Sequence, residues 1–462
     1  MSGDRRVQAD SPAVRWALGA VVLLLPELGA VVSFLGTVSP VAVGVTAAGE
    51  AIPTLLSRET IPNQGVFVPG SGWQGPFMGL SPALAWGLRV ALVYAYAGAW
   101  LAWLWYGYRL YRREYRTAGW TPRDDVIDRF RTHRWGQFGL VVVVAFFVLA
   151  LFAPTLGPTT MERNVYEPFS YEITTYDADA GEIRSVTVGQ ANLDSISQGE
   201  PDRNVGPLSY DRYGRFHPFG TLPSGQDLFT AVAVGARISL FIGLLAISIS
   251  GLLAVTLALV SAYYGGWVDL AIVLVSDATQ SLPQLLVVIL LSVVFSGTWI
   301  ASLYSGGVLL AVIFALTGWP SLWRAIRGPA FQVAERRWVE ASESFGVPPG
   351  STMRRHVLPY IVGYLLVYGS MNLGGIIIGI AGLSFLGLGV SSPTPEWGRL
   401  VKIGQPFVTS VSWHIAVIPG LLVVIVVTGF SALGDGIRDA IDMKTDVGEE
   451  TETSTAASGA GG

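Results

Sequence analysis

Residues 317–360 read TGWPSLWRAIRGPAFQVAERRWVEASESFGVPPGSTMRRHVLPY, a polar insertion between two long apolar runs. Within it, 331–346 has helical character, with Val333, Val339, Ala341 and Phe345 as its apolar members. Gly346, Pro348, Pro349 and Gly350 stop that helix, because glycine and proline punctuate regular backbone. A second short helix can begin at Ser351, a residue type that accepts from the free N–H groups of a helix start. It ends at Leu358 and Pro359. The product is a helix–turn–helix knob outside the apolar body, a surface for a partner to grip. Glu340 and Glu343 stand one turn apart, which is only weakly like a catalytic or metal-binding carboxylate pair. Arg336, Arg337, Arg354 and Arg355 lie close by, and ion pairing accounts for these acids better than catalysis.

Around the knob the chain is membrane-like. It has 462 residues, 51% apolar and 13% charged, against about 25% charged in an ordinary soluble protein. That excludes a soluble enzyme and a disordered scaffold. With 33 acids and 29 Lys and Arg, the net charge of −4 leaves no nucleic-acid footprint. Cysteine is absent, which removes disulfides, thiolate metal sites and cysteine nucleophiles. The two lysines, Lys402 and Lys444, follow no Gly-rich phosphate loop, so the chain is not expected to hydrolyse nucleotide itself.

A membrane span needs about 20 mostly apolar residues. The charge-free intervals from Trp135 onward place six, near 136–154, 238–262, 277–296, 303–320, 363–386 and 414–433. Two more precede them, near 16–36 and 83–107, the first read as a retained helix rather than a cleaved leader. Each of these two carries one charge, Glu27 and Arg89, at similar depths if the helices form a hairpin. An isolated charge in hydrocarbon is costly, so an intramembrane Glu27–Arg89 pair is one expectation and snorkelling of Arg89 to the headgroups is the other. Segment 108–137 holds eight arginines and four acids, and 318–360 holds six arginines and three glutamates. Segment 155–235 holds eleven acids and five arginines. Positive segments stay inside, so the knob and both termini are expected in the cytoplasm and 155–235 outside.

The knob resembles the coupling motif of binding-protein-dependent transport permeases, written EAA, three residues, G, nine residues, I-x-L-P. Here it stands as Glu340, Ala341 and Ser342, then Gly346, then His356, Val357, Leu358 and Pro359. Ser342 replaces the second alanine and His356 the isoleucine. Further stretches are similar to the dipeptide/oligopeptide/nickel branch, the DppC/OppC-like half. They are HPFGT from His217 leading through Asp227 to GARISL from Gly235, YYGGWVD from Tyr263, LSFLGLG from Leu383, PTPEWG from Pro393 and LGDGIRD from Leu433. The resemblance covers about residues 135–443. Where the branch has Gly-Thr-Asp and Gly-Arg-Asp, this chain has Gly220, Thr221, Leu222 and Gly225, Gln226, Asp227.

The resemblance implies an all-α polytopic membrane protein. Its six-helix, MetI-like ABC type I importer permease core would follow the extra N-terminal transmembrane hairpin read from the apolar runs, which falls outside the common pattern. The implied organisation is an extension at 1–110, a cytoplasmic linker at 111–135, a first core helix at 136–154 and an extracytoplasmic loop and elbow at 155–235. The remaining core, 236–443, contains the coupling loop 318–360, and 444–462 is an acidic, disordered tail. The implied function is the plasma-membrane permease subunit of an ATP-driven importer of peptides or similar small solutes, with no catalysis by this chain. Glu340, Ala341, Ser342, Gly346, His356, Leu358 and Pro359 would couple it to ATPase subunits, and Gly387 and Gly389 would serve close packing or a gate. The chain would bind no cofactor or metal; ATP and Mg would be used by partners. Those partners are a second DppB/OppB-like permease, two ABC ATPase subunits, an extracytoplasmic solute-binding protein and membrane lipid. The alternatives are a secondary ion-coupled transporter, which expects broken midplane helices bearing ion ligands, and a non-transport scaffold or receptor.

Overall fold

The computed structural model describes residues 12–27, 54–117, 121–178, 180–195 and 204–441, without the side chains of Pro122, Arg123, Glu340 and Glu343. The later part of the expected 16–36 span and the tail 444–462 lie outside the described residues. The chain divides into two compact units. One gathers the described parts of 1–120 with 151–234 and 403–415; the other gathers 121–150, 235–402 and 416 onward.

In the first unit, helix α1 (Pro12–Leu24) runs into a 3-10 turn, Leu25–Glu27. Helix α2 (Pro82–Leu110) starts at Ser81, whose hydroxyl accepts the Leu84 N–H at 3.4 Å, with proline at the first helical position where no N–H is needed. The two helices pack as a hairpin: Trp16 stacks on Trp103 with ring centres 4.2 Å apart, and the Tyr96 hydroxyl donates to Leu23 O at 2.8 Å.

The expected Glu27–Arg89 pair is not what holds these charges. Glu27 Oε1 accepts the Leu56 N–H at 2.8 Å. Arg89 is fully buried and donates to Ile61 O at 3.2 Å, Asn63 Oδ1 at 3.0 Å and Gly157 O at 2.8 Å. Segment 54–80 folds over the end of α2 and brings oxygen dipoles within reach of the guanidinium's fork of donors, so no carboxylate is required. Arg58 works the same way, donating to Pro154 O and Gly157 O, each at 2.8 Å, and to Thr159 O. Burial, with Arg89 nearby, lowers the Arg58 guanidinium to about 9, which leaves it charged at neutral pH. The N-terminal extension is thus pinned to segment 154–159 by two arginines that read only oxygen lone pairs.

The rest of this unit carries three antiparallel ribbons. β1 (Val66–Val68) pairs with β2 (Gly72–Gln74), β3 (Glu172–Asp177) with β4 (Glu182–Thr187), and β5 (Ser209–Tyr210) with β6 (Phe216–His217). The membrane body remains all-α.

The second unit begins with α3 (Pro122–Thr132), opened by a reciprocal capping box between Thr121 and Asp124. Then come α4 (Arg134–Leu151), a short helix α5 (Val188–Asp194) in the 151–234 part of the first unit, and α6 (Leu228–Tyr264). Helices α7 (Gly266–Ser281) and α8 (Gln284–Val294) meet at a bend of 86°. After a single turn, Trp299–Ser302, follow α9 (Gly307–Ala334), α10 (Arg337–Ser344), α11 (Leu358–Leu386), α12 (Trp397–Gly404) and α13 (His414–Ile441). Among the described residues six helical runs are long and apolar enough to cross a membrane, or seven if the bent pair is one span. The chain is a polytopic membrane protein with a helical core and an additional N-terminal apolar region.

One span differs from its expectation. The interval 277–296 predicted a straight helix starting at Asp277, but the helix starts at Gly266 and breaks at Leu282, whose backbone is extended, and Pro283. Charge counting missed the first half because Asp269 interrupts it. In the fold Asp269 is paired with Arg327 of α9, whose Nε donates at 2.8 Å, and also accepts from the Ser261 hydroxyl. A paired carboxylate no longer bars its helix from apolar surroundings.

Coupling knob and solute path as candidate functional sites

The knob is built from the root of α9 through α10 to the start of α11. α9 stops at Ala334, and Glu335 and Arg336 form a turn into α10. α10 ends in a Schellman arrangement: Gly346 adopts φ +74, and the Val347 N–H reaches back to Ser342 O at 3.2 Å. That left-handed backbone is why glycine stands there; a Cβ would meet no neighbour, so the requirement is conformational rather than steric.

The second arm starts earlier than expected. Pro348, not Ser351, precedes the first turn, Pro349–Thr352. It continues through a wide turn, Met353–Val357, straight into α11. Pro359 therefore does not end the helix. The Leu358 N–H bonds to Met353 O, one residue further back than in an α-helix, and this loosened turn makes room for a proline.

The expected coupling residues fall into three groups. Ala341 and Gly346 are exposed, and Phe345 beside them is 88% exposed. Ser342 Oγ lies 3.2 Å from Thr352 Oγ1 and ties the two arms, a link alanine would not make. His356 is half-buried with its ring 5.2 Å from that of Trp338, at 75°. Leu358 packs at the margin of a buried cluster that includes Trp323, Ile326, Val333, Val339, Met353 and Val357. Val357, which sequence reasoning passed over, is the fully buried anchor next to His356. The backbone of Glu340 lies in α10, and its side chain is outside the described ones. Pro359 is exposed at the start of α11.

Gly387 and Gly389 close the other end of α11. Gly387 (φ +85) accepts no side chain readily; its N–H caps Leu383 O and Ser384 O. A Cβ on Gly389 would lie 2.7 Å from the Ser384 Cα. Their geometry is that of a helix cap and a close contact. The PTPEWG stretch has a similar structural logic. Glu396 is buried, accepts the Gly398 N–H at 2.8 Å and the Ser239 hydroxyl at 3.3 Å, and so caps α12; burial raises its pKa. Trp397 beside it is fully buried.

Between the α7–α8 break, α9 and α11 lies a cavity of about 710 Å³. Its polar lining is Ser250, Thr279, Gln280, Gln284, Thr317, Ser321 and Asn372, and among the described residues no ionisable side chain lines it. Gln284 Nε2 donates to Thr317 Oγ1 at 3.3 Å, and the Ser321 hydroxyl to Asn372 Oδ1 at 3.2 Å. Pro283 has no N–H to offer the carbonyl of Thr279, and the last carbonyls of α7 lack helical donors; the Ser281 hydroxyl donates to one of them, Ala278 O, at 2.7 Å. The sequence hid this site because its residues come from helices up to 139 positions apart along the chain, Ile247 to Leu386. Among the described residues no group of His, Cys, Asp and Glu is arranged to hold a metal ion.

A polytopic bundle with an uncharged polar cavity and a helical knob continuous with the cavity walls defines a membrane permease. Residues 254–447 match the family described as binding-protein-dependent transport system inner membrane component, and residues 121–172 match the N-terminal TM domain of oligopeptide transport permease C. The chain is 30% identical to the oligopeptide transport system permease protein OppC of Bacillus subtilis over 320 residues, 69% of this chain and 89% of the relative. It is 26% identical to the dipeptide transport system permease protein DppC of Alkalihalophilus pseudofirmus over 324 residues, 70% and 90% of the two chains. To the glutathione transport system permease protein GsiD of Escherichia coli it is 30% identical over 324 residues, 70% and 91%. The chain belongs to the binding-protein-dependent transport permease family, the membrane subunits of ABC-type importers.

Proposed function

We propose that this chain is the DppC/OppC-type half of a peptide importer and that residues 331–359 transmit the work of separate ATPase subunits to the solute path. The observation that carries the proposal is continuity. α9 and α11, the two helices that flank the knob, also supply Thr317, Ser321 and Asn372 to the cavity. The helical run Pro349–Leu386 has 38 residues, about 57 Å at 1.5 Å per residue, so a push on the knob is a push on the cavity wall. The exposed Phe345, on a knob that also carries arginines at 336, 337, 354 and 355, is the kind of apolar anchor that a partner groove takes.

The knob then faces the cytoplasm and segment 155–235 the outside, as the arginine bias requires. A binding protein delivers solute to the outer face, a second permease completes the pore, and ATP and Mg are used by the ATPase pair. The spans alternate between inward-open and outward-open arrangements as rigid bodies. A cavity of amides and hydroxyls without charges suits the amide-rich backbone of a short peptide. The α7–α8 break is a feature that secondary transporters also use; the continuity of the knob with the cavity walls favours the importer.

The test is reconstitution in vesicles with the second permease, the ATPases and the binding protein. Phe345→Ala, Glu340→Ala and Gly346→Val are expected to insert normally and to lose peptide-stimulated ATP hydrolysis. An unchanged stimulated rate in all three variants rejects the coupling role. Uptake driven by an ion gradient with no ATPase present rejects the importer.

A further inference from the structure

We propose that the first unit carries a second, separate solute site, a cavity of about 240 Å³ beside the β1–β2 and β3–β4 ribbons that takes a small molecule bearing an ammonium group next to amide or hydroxyl groups. Three distant stretches meet there: Gln64 and Gln74 from the N-terminal extension, Glu172 from β3, and Arg215, His217 and Asp227 from the elbow. At roughly 30 Å³ per water, the space holds about eight waters or one solute of dipeptide size or less.

The floor of the cavity is ionic and largely paired within itself. Arg215 Nε donates to Asp211 Oδ2 at 2.6 Å, and its Nη1 to Asn192 Oδ1 at 2.7 Å. His217 Nδ1 lies 2.9 Å from Asp227 Oδ1, while Asp227 Oδ2 accepts both the N–H and the hydroxyl of Thr230 at 2.7 Å. Asn164 locks the elbow further, accepting the Asp227 N–H at 2.9 Å. These charges balance one another, yet Arg215 Nη2 and His217 Nε2 are buried with no hydrogen-bond partner among the described residues, so the floor still offers donors to an amide or hydroxyl oxygen of a ligand.

The rim is different. Glu172 is exposed, and one of its oxygens accepts the Ser185 hydroxyl at 2.7 Å. Its other oxygen, and the side-chain amides of Gln64 and Gln74, have no partner among the described residues. A concavity with low-dielectric walls, one uncompensated carboxylate and two unused amides at its rim attracts a cation there and offers it hydrogen bonds. A free peptide amino terminus or a small amine has the required chemistry. The site does not depend on the importer reading, because it is made by the extension and the outer segment alone.

The probe is glycinamide, a cation with one amide, compared with N-acetylglycinamide, its neutral counterpart, titrated calorimetrically into the full-length chain in lipid nanodiscs. Glycinamide is expected to bind saturably at one site and the acetylated compound about tenfold more weakly or not at all. Glu172→Gln keeps an oxygen for Ser185 and should lower glycinamide affinity about tenfold, and Gln74→Ala should lower it by a smaller factor. Gln284→Ala, in the membrane cavity, should leave it unchanged. Absence of saturable binding, equal binding of both compounds, indifference to Glu172→Gln, or loss on Gln284→Ala each overturns the proposal. Uptake that proceeds without the ATPases, with intact glycinamide binding, would count against the importer reading alone.

Discussion

At Gly346 the turn of the knob demands a left-handed backbone, φ +74, in open surroundings. An L-residue there costs about 1–2 kcal/mol, and asparagine tolerates the conformation better than most. Gly346→Asn is therefore expected to retain more peptide-stimulated ATPase activity than Gly346→Val, with both inserted; equal losses would show that the turn conformation is not the cause. His217 sets a second residue-scale expectation. Its burial alone would lower the pKa, but hydrogen bonds and charge from Asp211 and Asp227 more than reverse this and raise it above 6.5. For Asp211, burial pushes upward, yet the imidazole and Arg215 bring the carboxyl down to about 2. A raised histidine stabilises the fold fully below its unfolded value near 6.5, and that contribution is lost as pH rises through the folded value. The lowered Asp211 contributes above about 3.8 and its share is lost as pH falls toward 2. The elbow should thus become more protease-sensitive at alkaline pH. His217→Gln, which breaks a buried pair at a cost of about 3 kcal/mol, should be more sensitive throughout and lack the alkaline step.

The elements of the knob are held by burial rather than by polar contacts. Val357 and Ile361 on the second arm, Val339 on α10 and Val333 on α9 share one buried cluster. Val357→Ala is expected to cost about 2 kcal/mol through lost burial and a cavity, whereas Ser342→Ala, which removes one hydroxyl contact, costs about 1 kcal/mol or less. Thermal unfolding of the full chain should rank the two in that order. The α7–α9 contact makes a different prediction. Asp269 and Arg327 pair face to face, with two guanidinium nitrogens against two carboxylate oxygens. Asp269→Leu should lower the yield of monodisperse protein by leaving the arginine unpaired, and the exchange Asp269→Arg with Arg327→Asp should recover part of it. No recovery would mean that the pair's orientation, and not its mere presence, supports the broken span.

For the molecule as a whole, the absence of cysteine allows its topology to be read directly, since any thiol introduced is unique. Phe345→Cys, 88% exposed at the knob, should react with a membrane-impermeant maleimide only in inverted vesicles. Leu208→Cys, 72% exposed in the outer segment, should react in intact cells. Labelling of both from one side would contradict the arrangement in which the knob meets cytoplasmic ATPases. The N-terminal extension adds an expectation at this scale. Arg58 and Arg89 bond to carbonyls of segment 154–159, so replacing both with leucine should leave the permease core inserted but free that segment, seen as a new protease site near Pro154.

The sequence by itself determined the class of protein. Apolar runs long enough for spans, the arginine bias of the connecting segments and the spacing from Glu340 through Gly346 to Pro359 are local or one-dimensional signals, and they survive without knowledge of any contact. It also placed the turn of the knob, because a left-handed residue between a helix and two prolines is written in the chain. Tertiary structure decided where charges and polar groups find their partners. Arg89 turned to carbonyls because segment 54–80 folds over it, and Asp269 entered a helix because Arg327 waits 58 residues away. Ser351 lost the helix start to Pro348, whose extended backbone comes first. Both cavities were illegible for the same reason: each is lined by residues that only packing brings together, and hydrogen-bond partners of that kind leave no periodic trace in a sequence.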